Sequence, residues 1–392
     1  MMRLALALVP LVWIASARAG DDNDASAARA SIETLLAEMT AAVEASDVGG
    51  YLAHVSPHDP VFLYEQRAWA ADLREHPVVG FELRLTQPEE LEVSEHGWAV
   101  GELSVRSKMS ERRPWREVRF PARFEPMGTG EREDEPWFYA GEHWNIVRDE
   151  RHGAVNTAMA LDEQLPVALQ IVELMPDVRT RVDELFGVTN EREQQIKIYP
   201  SMEHLQASIY LSYTEPLGGW NEPGESIKLL AGEGLRARGL RRLLAHEYAH
   251  ALTFTLGDHA TDAPWWVLEG VAEHAAELVT GPTDRDDRLV AMWSREGQLR
   301  DWSQLADFRG EAENHALWVY VQGQSMIDYL TDRFGDDARN QWLTMLCRGA
   351  SLEEAASHVF GVAFTQLDQD WRATLAQRPA PAGPSPVPAR PD

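Results

Sequence analysis

Disulfides are the first thing this chain of 392 residues lacks. It has one cysteine, Cys347, so neither an intramolecular disulfide nor a cysteine-built metal site can form within it. Stability must come from packing, and Cys347 itself, following Trp342, Leu343, Thr344, Met345 and Leu346, reads as a small core hydrophobe. Cations are also short: Lys+Arg 36 against Asp+Glu 63 gives a formal charge of −27. That balance opposes any sequence-independent grip on a phosphate backbone or an anionic membrane surface, so nucleic acid is not an expected partner. Long apolar runs are missing too. The one near the start, residues 4–14, is too short to cross about 30 Å of hydrocarbon, and no later segment reaches about 18 apolar residues, so no membrane span is expected. What remains is 44% hydrophobic and 25% charged, enough for two ordinary domains and unlike a mini-protein or a wholly disordered chain.

Arg3, the apolar residues 4–14 and the small residues of Ala17-Arg18-Ala19 have the order of a cleaved secretory signal over residues 1–19. A soluble, exported protein, periplasmic or extracellular, is the expectation.

Beyond that leader, Ile32, Leu35, Leu36, Met39 and Val43 recur at three- and four-residue steps and mark a helix over 26–43. Asp47-Val48-Gly49-Gly50 interrupts it, and helical pieces follow over 51–55 and 60–74. The period then changes to two. Phe81, Leu83 and Leu85 alternate, as do Ala99, Gly101, Leu103 and Val105, then Val118, Phe120, Ala122 and Phe124, and residues 137–147 close the series. Residues 148–153 read as a linker and 155–186 as a helix. Strands are expected at 196–199, closed by Pro200, at 208–213, and at 227–230 after the turn-rich loop 218–224. From Leu240 onward the chain reads as helix until the proline-rich residues 378–392, an expected disordered or extended tail. Helices before a run of strands, then a small sheet before many helices, predict an α+β fold in two domains, 26–150 and 154–377.

The order of the first domain, with the aromatic-rich last strand holding Trp137, Phe138, Tyr139 and Trp144, resembles the cone-shaped NTF2-like domains. That resemblance implies a cavity suited to a small ligand, or a face that pairs two copies of the chain as a homodimer.

Chemistry concentrates at His246-Glu247-Tyr248-Ala249-His250. Flanked by Leu240, Leu243, Leu244, Ala251, Leu252 and Phe254, the run reads as a buried helix capped near Gly257. Histidines at i and i+4 lie above one another on a helix, so both rings can reach one ion. Glu247, one step round, is placed to take a proton from water without being a ligand. Such a pentad arises by chance in roughly 4% of chains with this His and Glu content, so a third ligand is needed. After a short loop, Pro264 opens a second apolar helix, Trp265 to His274. Its Glu269, nineteen positions after His250, is a carboxylate in an otherwise apolar stretch where an unpaired charge would cost several kcal/mol. Requiring it lowers the chance figure to roughly 0.4%. Glu273, one turn on, reads as an acceptor for a ligand histidine's other ring N–H that fixes its tautomer, against the alternatives of a ligand in place of Glu269 and an exposed helix charge.

HEYAH, eighteen intervening residues and the Glu of Trp266-Val267-Leu268-Glu269-Gly270-Val271-Ala272-Glu273 together resemble the gluzincin metallopeptidases, the group of thermolysin and related aminopeptidases. The resemblance implies a zincin-like domain, Zn2+ on His246, His250 and Glu269, and Glu247 as general base. It also implies that the strands before the first helix form a sheet whose edge binds substrate backbone. A looser likeness to small peptidase-MA-like domains runs through Tyr320-Val321-Gln322-Gly323-Gln324-Ser325, Tyr329-Leu330, Phe360-Gly361 and Trp371. It makes Tyr320 a candidate second donor to the oxyanion, against the alternative of a packed aromatic. The amine-holding G-x-M-E-N segment of the aminopeptidases is absent, so cleavage within peptides is expected over removal of N-terminal residues. Where related domains have Tyr five residues after the glutamate ligand, His274 stands here, read as a packing exchange. His204, His259 and His315 have no partner at ligand spacing. The expected function is an exported zinc peptidase acting on peptides or proteins. The alternatives are a non-catalytic zinc-binding protein whose first domain holds a ligand or partner, and a structural protein without metal.

Overall fold

The computed structural model describes residues 22–377 apart from 95, 128–135, 151–154, 232–235, 283 and 309. The expected leader and tail, and part of the expected linker, lie outside the described residues. The fold is α+β, with sheets in the N-terminal part and a mainly helical C-terminal part. Two units emerge: the described residues up to Glu173 together with Arg192–Leu235, and Leu174–Glu191 together with the described residues from Arg236 onward.

In the first unit the expected apolar helix face becomes α1 (Asp22–Glu44), which buries Ile32, Leu35, Leu36, Met39 and Val43. The Gly-Gly segment does not simply interrupt it. The Asp47 side chain accepts from the Gly50 N–H at 3.0 Å and so caps a short helix, α2 (Val48–Leu52). α3 (Pro60–Glu75) opens with Pro60 behind the cap Asp59, which accepts from the N–H groups of Val61 and Phe62. β1 (Gly80–Leu85), β3 (Ala99–Lys108), β4 (Arg116–Pro126) and β5 (Trp137–Glu142) pair antiparallel in chain order, with β2 (Glu92–Val93) on the side of β3. Their inward residues, among them Phe81, Leu103, Phe120 and Phe124, join the buried faces of α1 and α3 in one core.

The second sheet departs from the sequence reading in four ways. Residues 137–147 are not one strand: β5 ends at Glu142, and β6 (Asn145–Asp149) belongs to a different sheet. Arg148 and Asp149, expected in a linker, are therefore in a strand. Residues 156–160, expected to be helical, form β7 (Asn156–Ala160), all five of them buried. A strand buried on both faces shows no period of two, so pattern cannot separate it from a helix. The helix proper is α4 (Leu165–Phe186). The expected strand 208–213 is instead the end of α5 (Met202–Ile209) and a turn, because Ser201 caps a helix by accepting from the His204 N–H. With β8 (Gln194–Tyr199), β9 (Gly219–Trp220) and β10 (Ile227–Leu230) the order is β6-β7-β8-β10-β9, parallel at β7–β8 and β8–β10 and antiparallel at both edges. Sheet pairing thus keeps residues 145–160 and most of 192–235 with the N-terminal unit, and the division falls elsewhere than at 150–154.

The second unit is built on α6 (Ala237–Thr253), α7 (Trp265–Thr280) and α9 (Ala316–Phe334). α8 (Asp284–Glu296), α10 (Asp336–Cys347), α11 (Leu352–Phe360) and α12 (Phe364–Gln377) complete it. α7 and α9 touch backbone to backbone. A Cβ on Gly270 would lie 2.6 Å from the Gly323 carbonyl carbon, and one on Gly323 would lie 2.5 Å from the Trp266 oxygen. Gly257 does not cap α6, which ends at Thr253 with Phe254 as its C-cap. It is small for another reason: a Cβ there would stand 2.3 Å from the Cys347 oxygen. Cys347 is fully buried, as expected.

Candidate metal centre

Buried Leu240, Leu244, Tyr248 and Leu252 fix the inward face of α6, and the hydroxyl of Tyr248 donates to Asp183 at 2.7 Å. That anchoring sets the rotation of the helix and turns His246 and His250 together, with their Nε2 atoms 3.2 Å apart. From α7, Glu269 brings its Oε2 to 3.1 Å from His246 Nε2 and 3.5 Å from His250 Nε2. Among the described residues these three form the group able to hold a metal ion. Ligand atoms about 2.0–2.1 Å from a tetrahedral zinc stand about 3.3 Å from one another, and this triangle has that size. The Glu269 Oε2 is buried and receives no hydrogen bond of its own, which a cation would remedy.

The electrostatics agree. Burial opposes ionisation of Glu269, but His250 and His246 hold its carboxyl well below the usual carboxylate range. Burial likewise disfavours a charged His246, yet Glu269 and Glu273 raise it well above the ordinary histidine value. The pocket stabilises positive charge, whether a proton on His246 or a cation shared among three ligands. Glu247 is buried beside them, and burial pushes its carboxyl up, against the pull of His246 and His250.

Glu273 brings its Oε1 to 3.1 Å from His246 Nδ1. It is held in turn by Arg242, which donates to its Oε2. Tyr320 lies in the second turn of α9 rather than at its start, with its ring centroid 6.1 Å from that of His246 and 6.3 Å from that of Trp265. All six residues singled out in the sequence therefore come together in the second unit.

Two residues escaped the sequence reading. The Trp265 indole N–H donates to Glu269 Oε1 at 2.8 Å, and Arg242 steadies Glu273 from α6. Trp265 lies four positions before Glu269 on the same helix, so the i, i+4 rule that paired the histidines could have found it, whereas Arg242 meets Glu273 across two helices, which no spacing records. His274 turns to other work: its Nδ1 is 2.6 Å from Asp328 and its Nε2 2.8 Å from the buried Arg339 guanidinium, tying α7 to α9 and α10. His204 faces Glu142 at 3.4 Å in the first unit, His259 pairs with Asp262 and His315 meets Arg300. The first unit also holds a cavity of about 60 Å3 lined by aromatic rings with Glu65, Glu142 and His204.

"Uncharacterized protein YhcO" of Bacillus subtilis (strain 168) is 27% identical over 210 residues, 50% of this chain and 62% of that protein. The chain thus matches less than two thirds of that relative's length. Solved structures similar to this one include an M1 zinc metallopeptidase from Deinococcus radiodurans, at TM-score 0.38 and 17% identity over 74% of this chain and 64% of that one. Another is an aminopeptidase N family protein from Idiomarina loihiensis, at TM-score 0.39 and 12% identity over 70% of this chain and 52% of that one. Residues 176–377, just over half of the chain and the stretch that carries all three clustered side chains, match the Peptidase MA superfamily, and the chain belongs to it.

Proposed function

We propose that this protein is a zinc-dependent peptidase that hydrolyses bonds within peptide or protein substrates. The observation that carries the reading is the triangle of His246 Nε2, His250 Nε2 and Glu269 Oε2, of zinc-ligand size, with the buried Glu247 next to it on α6. Two imidazoles and one carboxylate are the donor set of catalytic rather than structural zinc, because a fourth position stays open. A zinc ion bound there supplies Lewis acidity, polarising a carbonyl oxygen and bringing water toward ionisation near neutral pH.

The chain's own groups do the rest. Glu247 takes the proton from the attacking water and returns it to the leaving amine. Glu273, braced by Arg242, holds the His246 ring through Nδ1 so that Nε2 faces the ion. Tyr320 is the candidate second donor to the oxygen that becomes negative as water attacks. The absence of an amine-holding G-x-M-E-N segment supports internal cleavage.

The test joins elemental analysis with digestion of a diverse peptide library. One zinc per chain, cleavage at internal bonds and loss of cleavage with a chelator are expected. A zinc-loaded chain inert against the whole library would favour a binding role, and a chain that takes up no metal would end the proposal. Tyr320→Phe should keep the zinc and lower turnover by roughly 100-fold or more if the phenol serves the oxyanion.

A further inference from the structure

We infer that Trp265 is a positioning residue that keeps Glu269 bound to the metal through one oxygen. The inference rests on the zinc reading and adds a residue that neither the motif nor the superfamily match assigns. The two oxygens of Glu269 are treated differently. Oε1 accepts the Trp265 indole N–H at 2.8 Å, whereas Oε2 stands within 3.1 and 3.5 Å of the two histidine nitrogens with no hydrogen bond of its own. An oxygen already engaged by an N–H donor is a poor second ligand, so the indole selects Oε2 and leaves the open position for water and substrate.

The donor is itself fixed. The Trp265 ring meets Phe308 edge-on at 4.7 Å and Tyr320 at 6.3 Å, and its backbone N–H donates to the Ala306 oxygen at 2.8 Å. Trp265 and Glu269 are one turn apart on α7, so the bond forms wherever the first turn of that helix forms. Groups that orient a metal ligand from behind typically govern metal affinity as well as geometry. Without this N–H, Oε1 is free to swing onto the ion, turning a four-coordinate centre into a five-coordinate one and crowding the open position.

Trp265→Phe removes the N–H and keeps an aromatic ring at a half-buried site, and Trp265→Gln restores an N–H donor without the ring. Zinc affinity is measured by competition with a chromophoric chelator, and coordination number by the visible absorption of the cobalt-substituted protein, which is strong for four ligands and weak for five. Trp265→Phe should bind zinc about 10- to 100-fold more weakly and show the weakened cobalt band, while Trp265→Gln recovers affinity and band toward those of the unaltered chain. Zinc binding by Trp265→Phe within about twofold of the unaltered chain, with an unchanged band, would overturn the inference and leave the zinc reading standing. Equal losses in both variants would overturn it too, since ring packing would then be what matters. An unaltered chain that binds no zinc would overturn the site and the inference together.

Discussion

Glu247 and the ligands beside it are buried groups whose charges answer to one another, and two predictions follow at this scale. Glu247→Gln keeps the size of the side chain and removes the base. Zinc content should stay at one per chain while turnover of a cleavable peptide falls by roughly 100- to 10,000-fold; undiminished turnover by this variant would rule out the mechanism. The second prediction concerns pH. In the metal-free chain His246 has a raised pKa, so its contribution to stability is fully present below the unfolded value of about 6.5 and is lost as pH rises through the folded value. Zinc needs that nitrogen deprotonated and must displace the proton. The rise in melting temperature produced by saturating zinc should therefore grow as pH is raised through the folded His246 pKa, as thermal unfolding with and without chelator can measure. A zinc effect independent of pH would contradict the assignment of His246 as a ligand.

Between elements, the placement of the site depends on how closely α7 and α9 approach. Glu269 precedes Gly270, and Tyr320 lies one turn before Gly323, the two positions where the helix backbones touch. Because any added methyl meets backbone rather than a mobile side chain, the helices must separate to admit it. Gly270→Ala and Gly323→Ala should each cost about 1–3 kcal/mol, the usual range for overpacking, and should reduce turnover by moving Tyr320 away from the metal. Urea unfolding of these variants beside Leu278→Ala, at an exposed position of the same helix, provides the comparison; equal midpoints for all three would refute the close-contact account. Legibility at this scale was mixed. The helical stripe of α1 and the alternation of β1, β3 and β4 could be read directly, because each buries mainly one face, and α6 and α7 could be read from apolar runs too long for a strand. β7 is buried on both faces and α5 is a two-turn helix whose identity hangs on the Ser201 cap, so neither offers a period long enough to decide by pattern.

On the scale of the whole molecule, charge is managed by pairing in the interior. Two of the three lysines, Lys197 and Lys228, are almost fully buried. Lys197 pairs with Glu65 from α3, which also accepts from Ser226 beside β10, and Lys228 pairs with Glu225 at 2.8 Å. Burial opposes the charge on Glu65, but Lys197 and Lys228 bring its carboxyl below the ordinary value. Its contribution to stability is therefore present above the unfolded pKa of about 4.3 and is lost as pH falls through the folded one. Glu65→Ala should destabilise the chain by about 3–5 kcal/mol at neutral pH by stranding Lys197, with the gap to the unaltered chain narrowing in acid. Denaturant midpoints across pH measure it, and a gap that widens toward low pH would contradict the pairing.

The sequence by itself determined which three side chains would cluster. Two histidines four apart and a glutamate in an apolar helix carry their geometry in their spacing, because the helical repeat is local and needs no knowledge of the rest of the chain. It likewise determined the α+β class and the burial of Cys347. Only the tertiary structure decided that residues 145–149 leave the first sheet for the second, that residues 156–160 are a strand, and that Arg242 of α6 meets Glu273 of α7. Strand partnership and contacts between helices are set by residues far apart in the chain, where no local period records them.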